Sequence, residues 1–290
     1  MTEVRAAAAR GLWLDAGRRL RRNRLASAAL AVVAAVALLA VFGPLASPWD
    51  FASLDWQHLA QPPGGPAHHW FGTDRLGRDL YVRALDGVRT SLLISVVASA
   101  VSLVIGLAWG AVAGFAGGRV DGWMMRFVDV LLSLPYLFVV IILATLFTRG
   151  SLPVLLVGLS AVGWLTTARI VRGQTLALKR RDFIVAARAA GLGPLAILSR
   201  HIVPNVLGPV LVYATLVIPQ MILIESFLSF LGLGVQEPRA SLGNLIFVGA
   251  QEMESAPWML LVPAAFLVVL LVALNLLGDG MRDAFDPRER

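Results

Sequence analysis

Six apolar runs, residues 25–43, 91–115, 127–147, 152–170, 206–228 and 259–277, constrain this chain more than any motif does. Each is close to the ~20 residues a helix needs to cross a hydrocarbon core about 30 Å thick. Backbone amides within lipid have no water to bond, so runs of this kind satisfy themselves as helices. With 58% hydrophobic residues in 290, the chain holds more apolar surface than one soluble domain buries. The expected fold is an all-α membrane protein with six transmembrane helices.

Charge orients those helices. With both termini cytoplasmic, residues 1–24, 117–126, 168–204 and 278–290 hold 7, 2, 7 and 3 of the 25 lysines and arginines, leaving six outside. The inverse orientation runs against the positive-inside rule. A basic leader before an apolar run is also how a signal peptide begins, but residues 25–43 exceed the usual length of its apolar core. They are read as an uncleaved first span. The net charge of +7 thus reflects an anionic lipid surface rather than nucleic acid. The absence of cysteine excludes disulfides, thiolate catalysis and cysteine-held metals.

Between the spans the sequence sets further expectations. Residues 44–90 form the longest polar connection, ending in FGTDRLGRDLYVRALDGVRTS. There Asp74, Arg75, Arg78, Asp79, Arg83, Asp86 and Arg89 alternate in sign, as on a solvated or interfacial helix face. Gly106, Gly110 and Gly114 put a flat strip on one face of the second span, suited to close helix packing within the chain or at a subunit interface. Arg126 and Asp129 are spaced to pair, and Pro135 bends the third span. Residues 229–258, which include FLSFLGLG, are too apolar for a free loop and read as partly re-entrant.

The most patterned connection runs from Lys179 to Asn205, between the fourth and fifth spans. Asp182 is placed to N-cap a short helix through Ala190, with Gly191 as its left-handed stop. Pro194 suits a first helical position, and Pro204 is expected to interrupt the chain again. A helix of about 12 Å is marginal alone and needs a surface to lie on. Phe183, Ile184, Ala187 and Ala190 either pack on the end of this chain's own bundle or enter a groove on a second protein. Lys179, Arg180 and Arg181 oppose the dipole of the helix they precede. With Arg169 and Arg172 they are read as facing lipid headgroups or a partner.

Much chemistry is absent. The single lysine, Lys179, is followed by Arg180, so no phosphate-binding loop exists. The histidines are His58, His68, His69 and His201. They form no His-Glu-x-x-His helix, and adjacent His68 and His69 lack ligand spacing, so no metal site is expected. No Gly-x-Ser-x-Gly elbow is present. Glu225 is the one acid well inside a span. It either lines a translocation path, where it could meet a peptide amine, or bonds a neighbouring helix.

Ala186, Ala187, Gly191 and Pro204 have the spacing of the EAA loop of ABC importer permeases, which the 179–205 segment resembles. Val185 stands where that motif has its acid, and His201 where it is apolar. GTDRLGRD, Gly117-Gly118-Arg119-Val120-Asp121, Met125-Arg126 with Asp129, ESFLSFLGLG and Gly278-Asp279-Gly280-Met281-Arg282-Asp283 extend the likeness over nearly the whole chain. Together they look like the C-type permease subunit of an oligopeptide or dipeptide importer. That resemblance implies the type I importer permease fold in a bacterial inner membrane, and a heterodimer with a B-type permease. It also implies two ATPases carrying ATP and Mg, a solute-binding protein outside, and no cofactor or catalysis in this chain. Asp182, Phe183, Ile184, Ala186, Ala187, Arg188, Gly191 and Pro204 then form the ATPase-docking coupling segment. The expected layout is a leader (1–24), a first span (25–43), an extracytoplasmic loop (44–90), a five-helix core (91–277) with its coupling loop (171–205), and a cytoplasmic tail (278–290). A same-branch permease for nickel or another small solute, and a proton-coupled carrier, are the competing functions.

Overall fold

The computed structural model describes residues 17–20, 22–65, 67–146 and 152–285. Residues 1–16, the end of the third apolar run at Phe147, the 148–151 turn and the last five residues of the tail lie outside them. Among the described residues there is no strand, only a single antiparallel bridge between Thr73 and Asp79.

Helix α1, Arg24–Phe42, starts at Asn23, whose side chain accepts from the amides of Leu25 and Ala26 at 3.1 and 3.2 Å. Helix α2, Leu80–Ala116, begins where Asp79 accepts from the Val82 amide at 2.9 Å, and stops at Gly117 with φ +69°. Its 37 residues span about 55 Å, so the charged segment before the second span belongs to the same helix as the span. Helices α5, Leu152–Lys179, and α10, Trp258–Phe285, likewise overrun the apolar stretches that nucleate them.

The third apolar run departs from expectation. Pro135 does more than bend it: helix α3, Gly118–Ser133, ends at an extended Leu134, and α4, Tyr136–Leu146, restarts after the proline. Proline disfavours helical backbone at the residue before it, which accounts for the break at Leu134. Among the described residues, five helices are therefore long and apolar enough to cross a membrane, beginning at Arg24, Leu80, Pro153, Pro194 and Trp258.

Beyond α5 come α6, Asp182–Ala189, and α7, Pro194–Ile197. Pro204 does not interrupt the chain as its sequence suggests. A π-turn over Leu198–Ile202 joins α7 to α8, Val203–Phe230, with the Val203 amide reaching the Leu198 carbonyl. That wider turn suits a proline, which lacks an N–H and in a regular α-helix meets the carbonyl four residues back. Between α8 and α10, the segment read as partly re-entrant holds the ten-residue helix α9, Leu242–Gln251, capped by Ser241 at the Asn244 amide.

Lipid tails are as apolar as leucine, so burial alone drives little association between spans, and close approach does more. The α2–α5 pair is the most extensive contact, and α8 packs across both. Ile94, Leu155, Leu159, Met221 and Leu228 form the core where the three meet. Helices α1 and α10 lie together at one side, with Val36 and Ala40 beside Leu270 and Leu274. Only 17% of the first span is buried against 44% of the span in α5, so α5 is central and α1 peripheral.

Candidate functional site

Helix α6 has two different faces. Ile184 is fully buried, and with Ala187 and the half-buried Phe183 it packs on Ala111 of α2, Val171 of α5, and Ile202 and Val206 at the start of α8. The sequence leaves those side chains free to dock on a second protein, but the fold spends them on this chain's own bundle. Ala190 packs on neither and is exposed. The outward face carries Asp182, Val185, Ala186, Arg188 and Ala189, with Val185 56% exposed, and α7 adds Leu195 at 80%. The side chain standing in for the motif acid is thus an exposed apolar group. A helical period applied to residues 182–189 places Ile184 and Ala187 on one side and Val185 and Ala189 on the other, but cannot say which side faces inward.

The ends of α6 differ from expectation in one respect. Arg181, in extended conformation, takes the cap position and Asp182 is the first helical residue, making no side-chain cap. Its charge still suits the helix N-terminus. Gly191 is the left-handed stop, at φ +81°. Its amide donates to the Arg188 carbonyl at 2.9 Å and the Leu192 amide to Ala187 at 3.1 Å, the paired bonds of a Schellman turn. Pro204 sits exposed in the first turn of α8.

Of the five cations read as facing lipid or a partner, Lys179, Arg169 and Arg172 also pair within the chain, while Arg180 and Arg181 are exposed. Lys179 belongs to the last turn of α5, where its charge suits the dipole. It also donates to the Phe115 carbonyl at the end of α2 at 2.5 Å. Arg188 lies over the Phe115 ring at 5.6 Å and Lys179 at 5.7 Å, tying α6 and α5 to one residue of α2. Arg172 forms two bonds to Asp121, at 2.5 and 2.6 Å. Asp129 pairs with Arg169 at 2.5 Å, not with Arg126, because the break at Leu134 and the turn of α3 bring α5 alongside.

The glycine strip faces α5. A Cβ on Gly106 would lie 2.5 Å from Thr167 Cβ, one on Gly110 2.3 Å from the Ala168 carbonyl oxygen, and one on Gly114 2.8 Å from Thr175 Cβ. The backbones of α2 and α5 approach as closely as they do only because those side chains are missing. A second close approach involves the tail string, where a Cβ on Gly280 would meet Ala26 of α1 at 2.3 Å.

Glu225 is fully buried in α8. The Ser91 hydroxyl of α2 donates to its Oε2 at 2.7 Å and Ser229 donates to its Oε1 at 2.7 Å. The Ser91 oxygen in turn accepts from the Leu242 amide, the first of α9, at 3.2 Å. The carboxyl therefore joins three helices.

At the opposite end of α2 the alternating charges are not a solvated face. Asp74, Arg78, Asp79, Arg83 and Asp86 are all buried, while Arg75 and Arg89 are exposed. GTDRLGRD is a closed turn: Asp74 Oδ1 accepts from the amides of Leu76 and Arg78, both at 2.9 Å, and the Thr73 hydroxyl donates to the His58 carbonyl at 2.6 Å. Arg78 bridges Asp74 at 2.6 Å and Glu237, in the α8–α9 connection, at 2.7 Å. The Arg78 hydrogen bond holds the Glu237 carboxyl below its usual range, against a smaller opposing effect of burial. Arg239 reaches Asp86 at 3.3 Å and Arg75 pairs with Glu252. Sign alternation reads equally as mutual pairing or as solvation, and only the fold decides between them.

The arrangement offers two things: an anchored short helix with an apolar outer face, and a bundle braced at both ends. Comparison with known proteins fits that description. Residues 106–290 match the binding-protein-dependent transport system inner membrane component, and residues 11–63 match the N-terminal transmembrane domain of oligopeptide transport permease C. The chain is 50% identical over 281 residues to the oligopeptide transport system permease protein OppC of Escherichia coli, covering 97% of this chain and 93% of that one. It is 46% identical to the Haemophilus influenzae protein of the same name, over 97% of this chain and 90% of that one. The dipeptide transport system permease protein DppC of Bacillus subtilis is 44% identical over 95% of this chain and 86% of its own length. With membrane-crossing helices, a braced bundle and these relatives, the chain is an integral membrane protein that belongs to the binding-protein-dependent transport permeases, in their oligopeptide and dipeptide C-type branch.

Proposed function

We propose that this chain is one of two membrane subunits of an ATP-driven peptide importer in a bacterial inner membrane, working with a B-type permease, two cytoplasmic ATPases and a solute-binding protein outside. The observation that carries the proposal is the two-faced α6: it is seated on α2, α5 and α8 by Ile184 and Ala187, and turns Val185, Ala186 and Ala189 outward. A helix held on one side and apolar on the other suits the transfer of motion from a partner to the spans. Charge supports placing α6 and both termini in the cytoplasm. The segments α3 and α4 together supply the remaining crossing, for six spans in all. ATP and Mg belong to the partner ATPases.

In this scheme peptide moves through a path lined by both permeases, opened to one side at a time. Glu225 shapes that path by holding α2, α8 and α9 in register. Gly191 keeps α6 short and its outward face fixed. Purification from native membrane after mild crosslinking tests the proposal: the chain should bring two P-loop proteins and a second permease, and peptide uptake should stop when ATP is depleted. Uptake that persists on a proton gradient alone would overturn it.

A further inference from the structure

Asp55, His58 and His69 converge outside the α6 surface, at the opposite end of α2. Asp55 Oδ2 lies 2.8 Å from His58 Nδ1 and 3.4 Å from His69 Nε2, and the three ligand atoms all fall within 4.8 Å of one another. The His69 ring is fully buried, stacked on Trp49 at 4.6 Å between centroids. Its other nitrogen, Nδ1, is 2.8 Å from Asp79 Oδ2. Neighbouring His68 takes φ +62° and is exposed, which removes it from the cluster.

Both nitrogens of His69 thus face carboxylates, whereas a neutral imidazole carries one N–H. If that proton goes to Asp79, the Nε2 lone pair points at Asp55 Oδ2, two acceptors face to face. A cation between them removes the conflict, as either a proton or a metal ion. A tetrahedral Zn²⁺ with N and O ligands at about 2.0–2.2 Å sets those ligands ~3.3 Å apart, and the 2.8 and 3.4 Å separations bracket that value. Asp79 stands where a carboxylate fixes the tautomer of a metal-binding histidine. Two imidazoles and a carboxylate are a borderline donor set that suits Zn²⁺ better than Mg²⁺ or Ca²⁺. The His58 side chain, 27% exposed, leaves a way in for the ion and a fourth position for water.

We propose that Asp55, His58 and His69 bind Zn²⁺ with a water as fourth ligand, clipping the 44–79 loop to the start of α2. The ion acts through His69 on Asp79, which caps that helix. Its role is to hold the outer loop. It is distinct from cargo and from the Mg of the ATPases.

The test uses the full-length chain in its membrane complex, carried on a tag without histidines, stripped with chelator and titrated with Co²⁺. The parent is expected to take up one more equivalent than His58→Ala, with the strong visible bands of tetrahedral Co²⁺, and to release it to Zn²⁺. Asp55→Asn should weaken binding at least ten-fold and His68→Ala should leave it unchanged. Both ligand positions lie in a partly exposed loop, so helical circular dichroism and complex assembly should match the parent. Equal uptake by parent and His58→Ala would overturn the site. So would an intact parent that takes up no Co²⁺ at micromolar concentration, which assigns the cluster to a proton.

Discussion

Lys179 donates to the carbonyl of Phe115 at 2.5 Å, joining the last turn of α5 to the last turn of α2 beside α6. The bond satisfies a helix-end carbonyl with a charged donor, and for a partly buried lysine we expect it to contribute about 1 kcal/mol. Lys179→Met should leave the chain in the membrane at parent abundance while lowering peptide uptake per ATP hydrolysed several-fold. An unchanged ratio of uptake to hydrolysis would remove this bond from the coupling scheme.

The two faces of α6 should respond oppositely to charge. Val185→Glu restores the acid of the family motif at an exposed site, and the chain should accumulate normally with its ATPases bound. Ile184→Glu puts a carboxylate among Ala111, Val171 and Val206, a cost of several kcal/mol that should deplete the folded chain. Leu195→Asp, on the outward side, should preserve folding yet weaken ATPase association about ten-fold. Quantitative blotting alongside pull-down separates these outcomes.

Glycine at position 110 is required by contact. Gly110→Ala drives a methyl toward the Ala168 carbonyl and should destabilise the bundle by about 1–3 kcal/mol, seen as a lower Tm in detergent. Gly122 in α3 has nothing within 4 Å of such a methyl, so Gly122→Ala should hold or slightly raise Tm. Equal responses would mean that the α2–α5 approach is not set by the strip.

Replacing Glu225 should discriminate shape from charge. Glu225→Gln keeps one acceptor oxygen, for Ser91 or Ser229, and offers its NH2 to the other hydroxyl oxygen, so it should stay within about 1 kcal/mol of the parent. Glu225→Ala strands both hydroxyls and loosens the start of α9, costing about 2 kcal/mol. Peptide uptake at matched abundance should follow stability. A Gln variant that is stable but does not transport would return Glu225 to direct contact with cargo.

Acid should loosen the Arg78–Glu237 bridge. The Glu237 carboxyl titrates below its ordinary 4.5 because Arg78 favours the charged form. A depressed value means stability present above pH 4.5 and lost as pH falls through the lowered value. Thermal stability should therefore drop more steeply below pH 4.5 in the parent than in Glu237→Gln, which lacks the group. Parallel profiles would show that the Arg78–Glu237 bond adds nothing at half-exposed Glu237.

Much of this architecture is legible in residue order. Apolar length locates five helices long enough to cross among the described residues, and the Gly117-Gly118 turn marks the end of α2. Its start at Leu80, well ahead of the apolar run at 91–115, is hidden among the alternating charges. Pro135 and Pro204 mislead through backbone geometry, one breaking a helix and the other fitting a π-turn, while the remaining failures share one cause, a choice between partners that only the third dimension makes. Asp129 meets Arg169 across helices rather than Arg126 along one, and Asp74 and Arg78 bury each other instead of meeting water. Ile184 faces inward because α8 passes beneath it, a fact absent from the eight residues of α6. Asp55 was invisible as a partner for His69 because fourteen residues and a closed turn separate them.

The π-turn at Leu198–Ile202 has a consequence for how force travels. Because it admits Pro204 without a break, Pro194–Phe230 is one helical run of 37 residues, roughly 55 Å from end to end. The chain therefore passes from α7 into α8 with no break beside α6. Pro209 and Pro219 lie within that run, each removing a backbone bond before Glu225 is reached, so any bending of the rod falls along its length, between the π-turn and the serine junction, rather than at a break beside α6.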